Sequence, residues 1–136
     1  MSRRKGRELA MQMLFQEDAV GSSAQETKEL FWAAHSASPE AREFAEALYD
    51  TSVEKRHEID GLIYGHAQHW KLERIAAVER SILRVAIAEL LATDTPDAVV
   101  MDEAIEIARK YASERSSDFV NGILDAVKNN VERSAE

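Results

Sequence analysis

The sequence predicts an all-α protein of six or seven helices, packed as an orthogonal or up-down bundle in one domain. Apolar residues recur at helical spacing in successive stretches, and no segment shows sustained alternation with a period of two. Only two prolines and five glycines occur among 136 residues, of which 45% are hydrophobic and 31% charged. This composition suits long helices joined by short loops better than many short strands.

Residues 2–19 are predicted to form the first helix, because apolar residues recur there at helical spacing. The segment Gly21-Ser22-Ser23 ends it. Ser23 and Glu26 have the spacing of a capping box, in which each side chain accepts a hydrogen bond from the backbone of the other residue. A short second helix is therefore expected to follow Ser23.

A third helix is predicted to start at Pro39, where a preceding serine caps the helix and proline takes the first position, which needs no N–H donor. Its apolar stripe continues to about His66, and a polar interval around Lys55 leaves a break open. Gly61 and Gly65 are costly inside a helix, so they indicate close approach by another segment. The alternative is a helix that ends earlier.

The second half of the chain predicts a tight connection over residues 70–75 and then a helix over 81–92 that is apolar almost all round. Such a helix belongs at the centre of a bundle. Asp97 is predicted to cap the next helix, which extends to Tyr111. After a polar turn over 113–117, the last helix presents one apolar face, made of Val120, Ile123, Leu124, Val127 and Val131.

Charge is distributed unevenly along the chain. The net charge is −8, yet residues 1–7 contain four basic residues and no acid, so the remainder carries −12. Because salt screens charges beyond about 8 Å, a local basic cluster can bind a polyanion on an acidic protein. The alternative is a solvated, frayed terminus without function.

The composition argues against secretion, membrane insertion and metal binding. There is no cysteine, and no apolar run approaches the roughly 20 residues of a membrane span, so we expect a cytoplasmic protein. His66 and His69 are three residues apart, but no third ligand is suitably spaced for zinc. We expect no cofactor. We also expect no enzymatic activity, because the one group of acids that could act in acid–base catalysis is on a single helix, and such acids commonly lie on its solvated face. These acids are Asp102, Glu103 and Glu106.

Three stretches of the chain share a recognisable order and spacing. The first is RELAMQMLF at residues 7–15. The second combines WKLERI at 70–75 with VERSILRVA at 78–86. The third combines VMDEAIEIA at 100–108 with FVNGILD at 119–125. Each is ordinary helical sequence by itself, but together they span nearly the whole chain and resemble the NusB family of bacterial transcription antitermination factors.

The resemblance implies a single domain over residues 1–136 with seven helices in two roughly perpendicular three-helix bundles. It implies no enzymatic activity. Family members bind the boxA element of ribosomal RNA leader transcripts together with the ribosomal protein NusE. The pair loads onto elongating RNA polymerase and suppresses premature termination. The alternative class is a helical protein-interaction module in which RNA has no part.

The resemblance also implies a set of site residues. Four basic residues are implied to contact the RNA phosphates. A glutamine and two aromatic rings are implied to lie near the bases, and one acid is implied to contact the protein partner. These residues are Arg3, Arg4, Lys5 and Arg7 for phosphate, Gln12, Phe15 and Phe119 for the bases, and Glu79 for the partner. Unpaired bases stack on aromatic faces, and arginines supply phosphate contacts that any sequence satisfies.

Several of these residues have a structural alternative. Phe15 could pack in the core, Phe119 could make a hydrophobic contact at a helix start, and Glu79 could serve as a helix-start acid favoured by the helix dipole. Gln12 could be a solvent-facing helix residue. One departure from the family pattern is Asp118, an acid where relatives often carry a basic residue.

Other residues of the resembling stretches have predicted structural roles. Gly122 is predicted to permit close helix packing, together with its neighbour Asn121. Arg84 and Glu89 are predicted to form internal salt bridges.

Overall fold

A computed structural model describes residues 2–67 and 74–131. These ranges contain seven helices and no strand, which confirms the predicted all-α class, and none of these helices has the length and apolarity to span a bilayer. The helices are α1 (Ser2–Val20), α2 (Ala24–Ala34), α3 (Pro39–Glu54), α4 (Arg56–His66), α5 (Ala77–Ala92), α6 (Asp97–Tyr111) and α7 (Glu114–Lys128).

Helix α5 lies at the centre, as its apolar sequence predicts. All residues from 81 to 90 are buried, and the helix packs against α1, α3, α4, α6 and α7. Two of these buried residues, Arg84 and Glu89, are charged. Buried charges require partners, so α5 must be met by ions of opposite charge from its neighbours. The arrangement in two perpendicular three-helix bundles remains a prediction.

Helix starts follow the caps read from the sequence. Ser23 and Glu26 form the predicted capping box at α2. At α3, the Ser38 side chain accepts a hydrogen bond from the Ala41 N–H, and Pro39 takes the first helical position. The predicted long third helix is broken at Lys55, whose ψ of 26° leaves the helical range. Helix α4 therefore starts as a separate helix at Arg56.

The second half of the chain differs from prediction at both of its later helix starts. Asp97 does not cap α6, because Pro96 is the cap and Asp97 is already the first helical residue. An acid there is favoured by the helix dipole. The predicted polar turn over 113–117 is mostly helix, since Ser113 caps α7 through the Ser116 N–H. Of the predicted connection over 70–75, the residues before Arg74 lie outside the described ranges, and Ile75 is buried.

Close helix approach occurs at a different glycine from those predicted. A Cβ built on Gly61, Gly65 or Gly122 has no neighbour within 4 Å among the described residues, so the predictions of close packing there were wrong. At Gly6, in α1, the same atom would lie 2.9 Å from Cδ2 of Phe44 and 3.1 Å from the carbonyl oxygen of Ala41. Gly6 therefore lets α1 lie directly on α3.

Replacing Gly6 by alanine is expected to lower the free energy of unfolding by about 1–3 kcal/mol, because the new methyl group forces α1 and α3 apart. Gly122→Ala is the matched control. It adds the same methyl group in open space, so helix propensity alone should raise stability by up to about 1 kcal/mol. Chemical denaturation of both variants measures the difference, and equal effects would contradict the assigned contact.

Candidate nucleic-acid interface

The basic N-terminal segment is the first turn and a half of α1 and not a frayed tail. Arg3, Arg4 and Lys5 are exposed, and no acid occurs in the first turn. Positive charges are unfavourable at a helix N-terminus, where the backbone N–H groups already carry partial positive charge. Contacts with other helices must therefore hold this turn in place.

Glu103 of α6 provides one such contact. Arg4 donates from Nε and Nη2 to the two carboxylate oxygens of Glu103, each over 2.8 Å. These hydrogen bonds hold the pKa of Glu103 below its usual range and raise the pKa of Arg4. The Arg4 side chain remains 48% exposed, and its Nη1 group takes no part in this pair. The Arg4 guanidinium is therefore held in one orientation by Glu103, and its Nη1 group remains available for a further contact.

Arg7 belongs to the interior. Its Nε and Nη2 donate to the two carboxylate oxygens of Glu89 on α5 over 2.7 and 2.6 Å, and its side chain is 7% exposed. Its Nη1 lies 3.5 Å from Glu103. The predicted phosphate contact of Arg7 is therefore corrected, because the guanidinium is enclosed and paired. The internal salt bridge predicted for Glu89 is confirmed, with Arg7 as its partner.

Phe44 of α3, which the sequence did not single out, supports the same turn. The guanidinium of Arg3 lies 4.7 Å from the centre of the Phe44 ring, and that of Arg7 lies 5.5 Å from it. Both contacts are cation–π interactions. Lys5 is exposed, and it has no ion pair within the described ranges. Arg3 and Lys5 are thus cations of this turn that no described carboxylate neutralises.

Gln12 lies two turns further along α1, where it is half-buried. Its amide donates to the Tyr111 hydroxyl over 3.3 Å, and that hydroxyl donates to Glu8 over 3.0 Å. Lys110 donates to the same carboxylate over 3.2 Å. Burial and the bond to Glu8 raise the pKa of Tyr111, so it remains a donor at neutral pH. This chain of hydrogen bonds fixes the orientation of the Gln12 side chain.

Phe15 is 40% exposed, so the alternative of core packing does not hold. It follows Gln12 by three residues and therefore lies on the same helix face, one turn further along. An exposed aromatic ring beside a fixed amide is a suitable surface for an unpaired base.

Phe119 and Glu79 lie together, which the sequence did not predict. They share a cleft of about 140 Å³ whose lining also includes Arg74, Ile75, Arg115 and Ser116. Glu79 stands in the first turn of α5, where the dipole favours an acid, and accepts a hydrogen bond from the Ser116 hydroxyl over 2.7 Å. The predicted base-contacting ring and the predicted partner-contacting acid are therefore parts of one site.

Other charged groups singled out in the sequence form ion pairs within the fold. Arg84 donates to both carboxylate oxygens of Asp60 over 2.9 Å, which confirms its internal salt bridge. The acidic group on α6 is divided, since Glu103 pairs with Arg4 and Glu106 pairs with Arg109. In the part of the chain that is described, no three possible ligands converge on a metal position. His69 lies outside that part.

Glu103→Gln is expected to lower stability by about 1 kcal/mol near pH 7, through loss of the ion pair with Arg4. Because the pKa of Glu103 is lower in the folded chain than its usual 4.5, the pair stabilises above that value. This contribution is lost as the pH falls through the lowered pKa. The difference between wild type and variant should therefore shrink below about pH 4 in denaturation experiments.

Glu106→Gln is the control for this prediction, because Glu106 lies on the same helix and its partner Arg109 is also exposed. Its effect should be smaller than that of Glu103→Gln, because solvent screens an ion pair between two exposed side chains. A Glu103→Gln effect that stays constant from pH 7 to pH 3 would contradict the role assigned to the ion pair.

Comparisons with known proteins identify a family over nearly the whole chain. The model of the NusB family matches residues 4–129. The chain is 48% identical to the transcription antitermination protein NusB of Koribacter versatilis (strain Ellin345), over 93% of this chain and 88% of the relative. Both matches span α1 to α7.

Two solved structures are similar as well. NusB of T. maritima superimposes with a TM-score of 0.83 at 33% identity, covering 95% of this chain and 92% of that chain. A crystal structure of antitermination factors NusB and NusE in complex with dsRNA gives 0.84 at 30% identity, covering 95% and 97%. Because the family model, the sequence relative and the folds agree over nearly the full length, this chain belongs to the NusB family, whose matched relatives are transcription antitermination proteins.

Proposed function

We propose that this chain is a transcription antitermination factor that binds the boxA element of nascent ribosomal RNA leader transcripts together with ribosomal protein NusE. The pair then acts on elongating RNA polymerase to suppress premature termination. The protein carries out no catalysis in this role, and it requires no cofactor. It works as an adaptor that joins RNA to protein.

The observation that carries the proposal is the outer face of α1. Arg3, Arg4 and Lys5 are exposed there at one end, on a chain whose other residues sum to −11. Further along the helix lie the fixed amide of Gln12 and the exposed ring of Phe15. Phosphate-binding groups followed by a stacking surface are what a single strand of RNA requires.

The similar complex supports the choice of partners. Its chains are antitermination factors NusB and NusE bound to dsRNA, and its fold matches this chain over nearly its whole length. Glu79 is the proposed contact to NusE. Its half-buried carboxylate, fixed by Ser116, lies in the same cleft as Phe119, so the RNA and protein surfaces adjoin each other.

The double variant Arg3→Ala/Lys5→Ala tests the proposed RNA surface. With three phosphate contacts, the slope of log affinity against log salt concentration should be about −2, because each contact to a single strand contributes about −0.7. The slope of the variant should be shallower by about 1.4, because two phosphate contacts are removed. Fluorescence anisotropy with boxA RNA, with and without purified NusE, measures the change.

Lys28→Ala/Arg42→Ala is the matched control, since it removes two basic residues from α2 and α3, where they pair with Asp50 and Glu46. It should bind RNA like the wild type. If the wild type in complex with NusE binds boxA RNA and scrambled RNA equally, or with a slope near zero, the proposal fails. Partner assembly that survives without RNA binding would favour a protein-interaction module.

A further inference from the structure

Glu8 of α1 is a charged side chain in the interior, with only 4% of its surface exposed. A buried carboxylate requires hydrogen-bond donors around it, because burying it unpaired is costly. Two residues at the end of α6 supply them. Lys110 donates to both carboxylate oxygens over 3.2 Å, and the Tyr111 hydroxyl donates to one of them over 3.0 Å. An ionised carboxylate only accepts hydrogen bonds, so Tyr111 is the donor in its bond to Glu8.

The direction of this bond decides the orientation of Gln12. A tyrosine hydroxyl has one proton, and Glu8 takes it. The Tyr111 oxygen can therefore only accept from Gln12, and it faces the Gln12 amide nitrogen at 3.3 Å. The opposite orientation would bring the amide oxygen against the Tyr111 oxygen with no proton between them. A glutamine amide without such a partner has two orientations about its last side-chain bond, so Tyr111 selects one of the two.

The fixed amide leaves its carbonyl oxygen for an external ligand. Oε1 of Gln12 accepts no hydrogen bond from a described residue, and it is not an enclosed atom. Phe15, whose ring is 40% exposed, follows Gln12 on the same helix face. Residues three apart on a helix have Cβ atoms about 5–6 Å apart, so a base stacked on Phe15 has its edge near Gln12. The edge of that base meets a hydrogen-bond acceptor.

An acceptor held in one orientation distinguishes between bases. Adenine, cytosine and guanine carry an exocyclic amino group, which donates hydrogen bonds, whereas uracil has carbonyl oxygens in place of an amino group. A base carbonyl opposite Oε1 of Gln12 would leave two acceptors facing each other, and each would lose its hydrogen bond to water. An amide that is free to turn would offer its NH2 group instead and would bind either kind of base.

We propose that Tyr111 and Glu8 are positioning residues that hold Gln12 as an acceptor toward RNA, so that Gln12 selects a base with an exocyclic amino group beside Phe15. The inference rests on the proposed function and deepens it, since it names the class of base at one point of the RNA strand. Tyr111 acts through Gln12, because its hydroxyl is occupied by Glu8 on one side and by the Gln12 amide on the other.

Tyr111→Phe tests this inference, because it removes only the hydroxyl that fixes the amide. Wild type and variant, each in complex with NusE, are titrated with boxA RNA and with single-site analogues that lack one amino group. These analogues carry purine riboside for adenosine, pyrimidin-2-one riboside for cytidine or inosine for guanosine. At one site the analogue should bind the wild type about fivefold more weakly, as expected for one hydrogen bond. Tyr111→Phe should bind both RNAs alike, with an unchanged salt slope because no phosphate contact is lost.

Tyr49→Phe is the matched control, because Tyr49 of α3 is fully buried in the core and its hydroxyl cannot meet RNA. This variant should keep the fivefold difference. Gln12→Ala should lose it, and adding Tyr111→Phe to Gln12→Ala should change nothing further, because the hydroxyl acts through the amide. A Tyr111→Phe variant that keeps the difference overturns the inference. An equal effect of Tyr111→Phe in the Gln12→Ala background overturns it as well.

The outcomes separate this inference from the proposed function. If the wild type prefers boxA RNA to scrambled RNA but no loss of an amino group weakens binding, the inference is overturned and the proposed function stands. If the wild type in complex with NusE shows no preference for boxA RNA, both fail together. Circular dichroism checks that each variant is folded.

Discussion

The buried ion pair between Arg7 and Glu89 is the interaction on which the arrangement of α1 depends. Two charges enclosed between α1 and α5 are tolerated only when each satisfies the other, and both oxygens of Glu89 accept hydrogen bonds from Arg7. This requirement fixes the rotation of α1 about its own axis. The remaining contacts of the helix, from Gly6 on α3 to Glu8 at Tyr111, follow from that rotation.

The same rotation separates the basic residues of α1 by function. Arg7 faces the core, whereas Arg3, Arg4 and Lys5 face outward. An acidic protein that presents so few cations binds a polyanion with modest strength, because phosphate contacts dominate affinity for nucleic acids. In the proposed function, specificity then comes from base contacts and from a protein partner, and the residues proposed for these two roles, Phe119 and Glu79, line one cleft.

The sequence was sufficient for features that depend on local chemistry. The capping box at Ser23 and the proline start at Pro39 are set by neighbouring residues, and the central position of α5 follows from its uniform apolarity. The helical spacing also contained a signal that was missed. Arg7, Met11 and Leu14 follow one another at helical intervals, so Arg7 lies on the apolar stripe of α1.

Other features depend on contacts between distant segments, which local patterns do not reveal. The sequence pattern does not reveal which side of a helix a glycine lies on, because glycine has no side chain. Gly61 and Gly6 differ in the atoms that surround them, and only the folded structure shows these. Likewise, Arg74 and Arg115 lie in different parts of the chain, and only the packing of α5 beside α7 brings them to Phe119. The charge of a surface is therefore harder to predict from the sequence than the positions of the helices.

The most direct test of this account is RNA binding by the double variant Arg7→Met/Glu89→Met in complex with NusE. Replacing a buried ion pair by apolar residues of similar volume usually preserves the fold. Methionine at both buried positions keeps the same face of α1 against α5, so the outer face of α1 should remain in place. We expect boxA RNA affinity and its salt slope to equal those of the wild type. A folded variant whose slope is shallower by about 0.7 would show that Arg7 contacts phosphate, which would contradict the account.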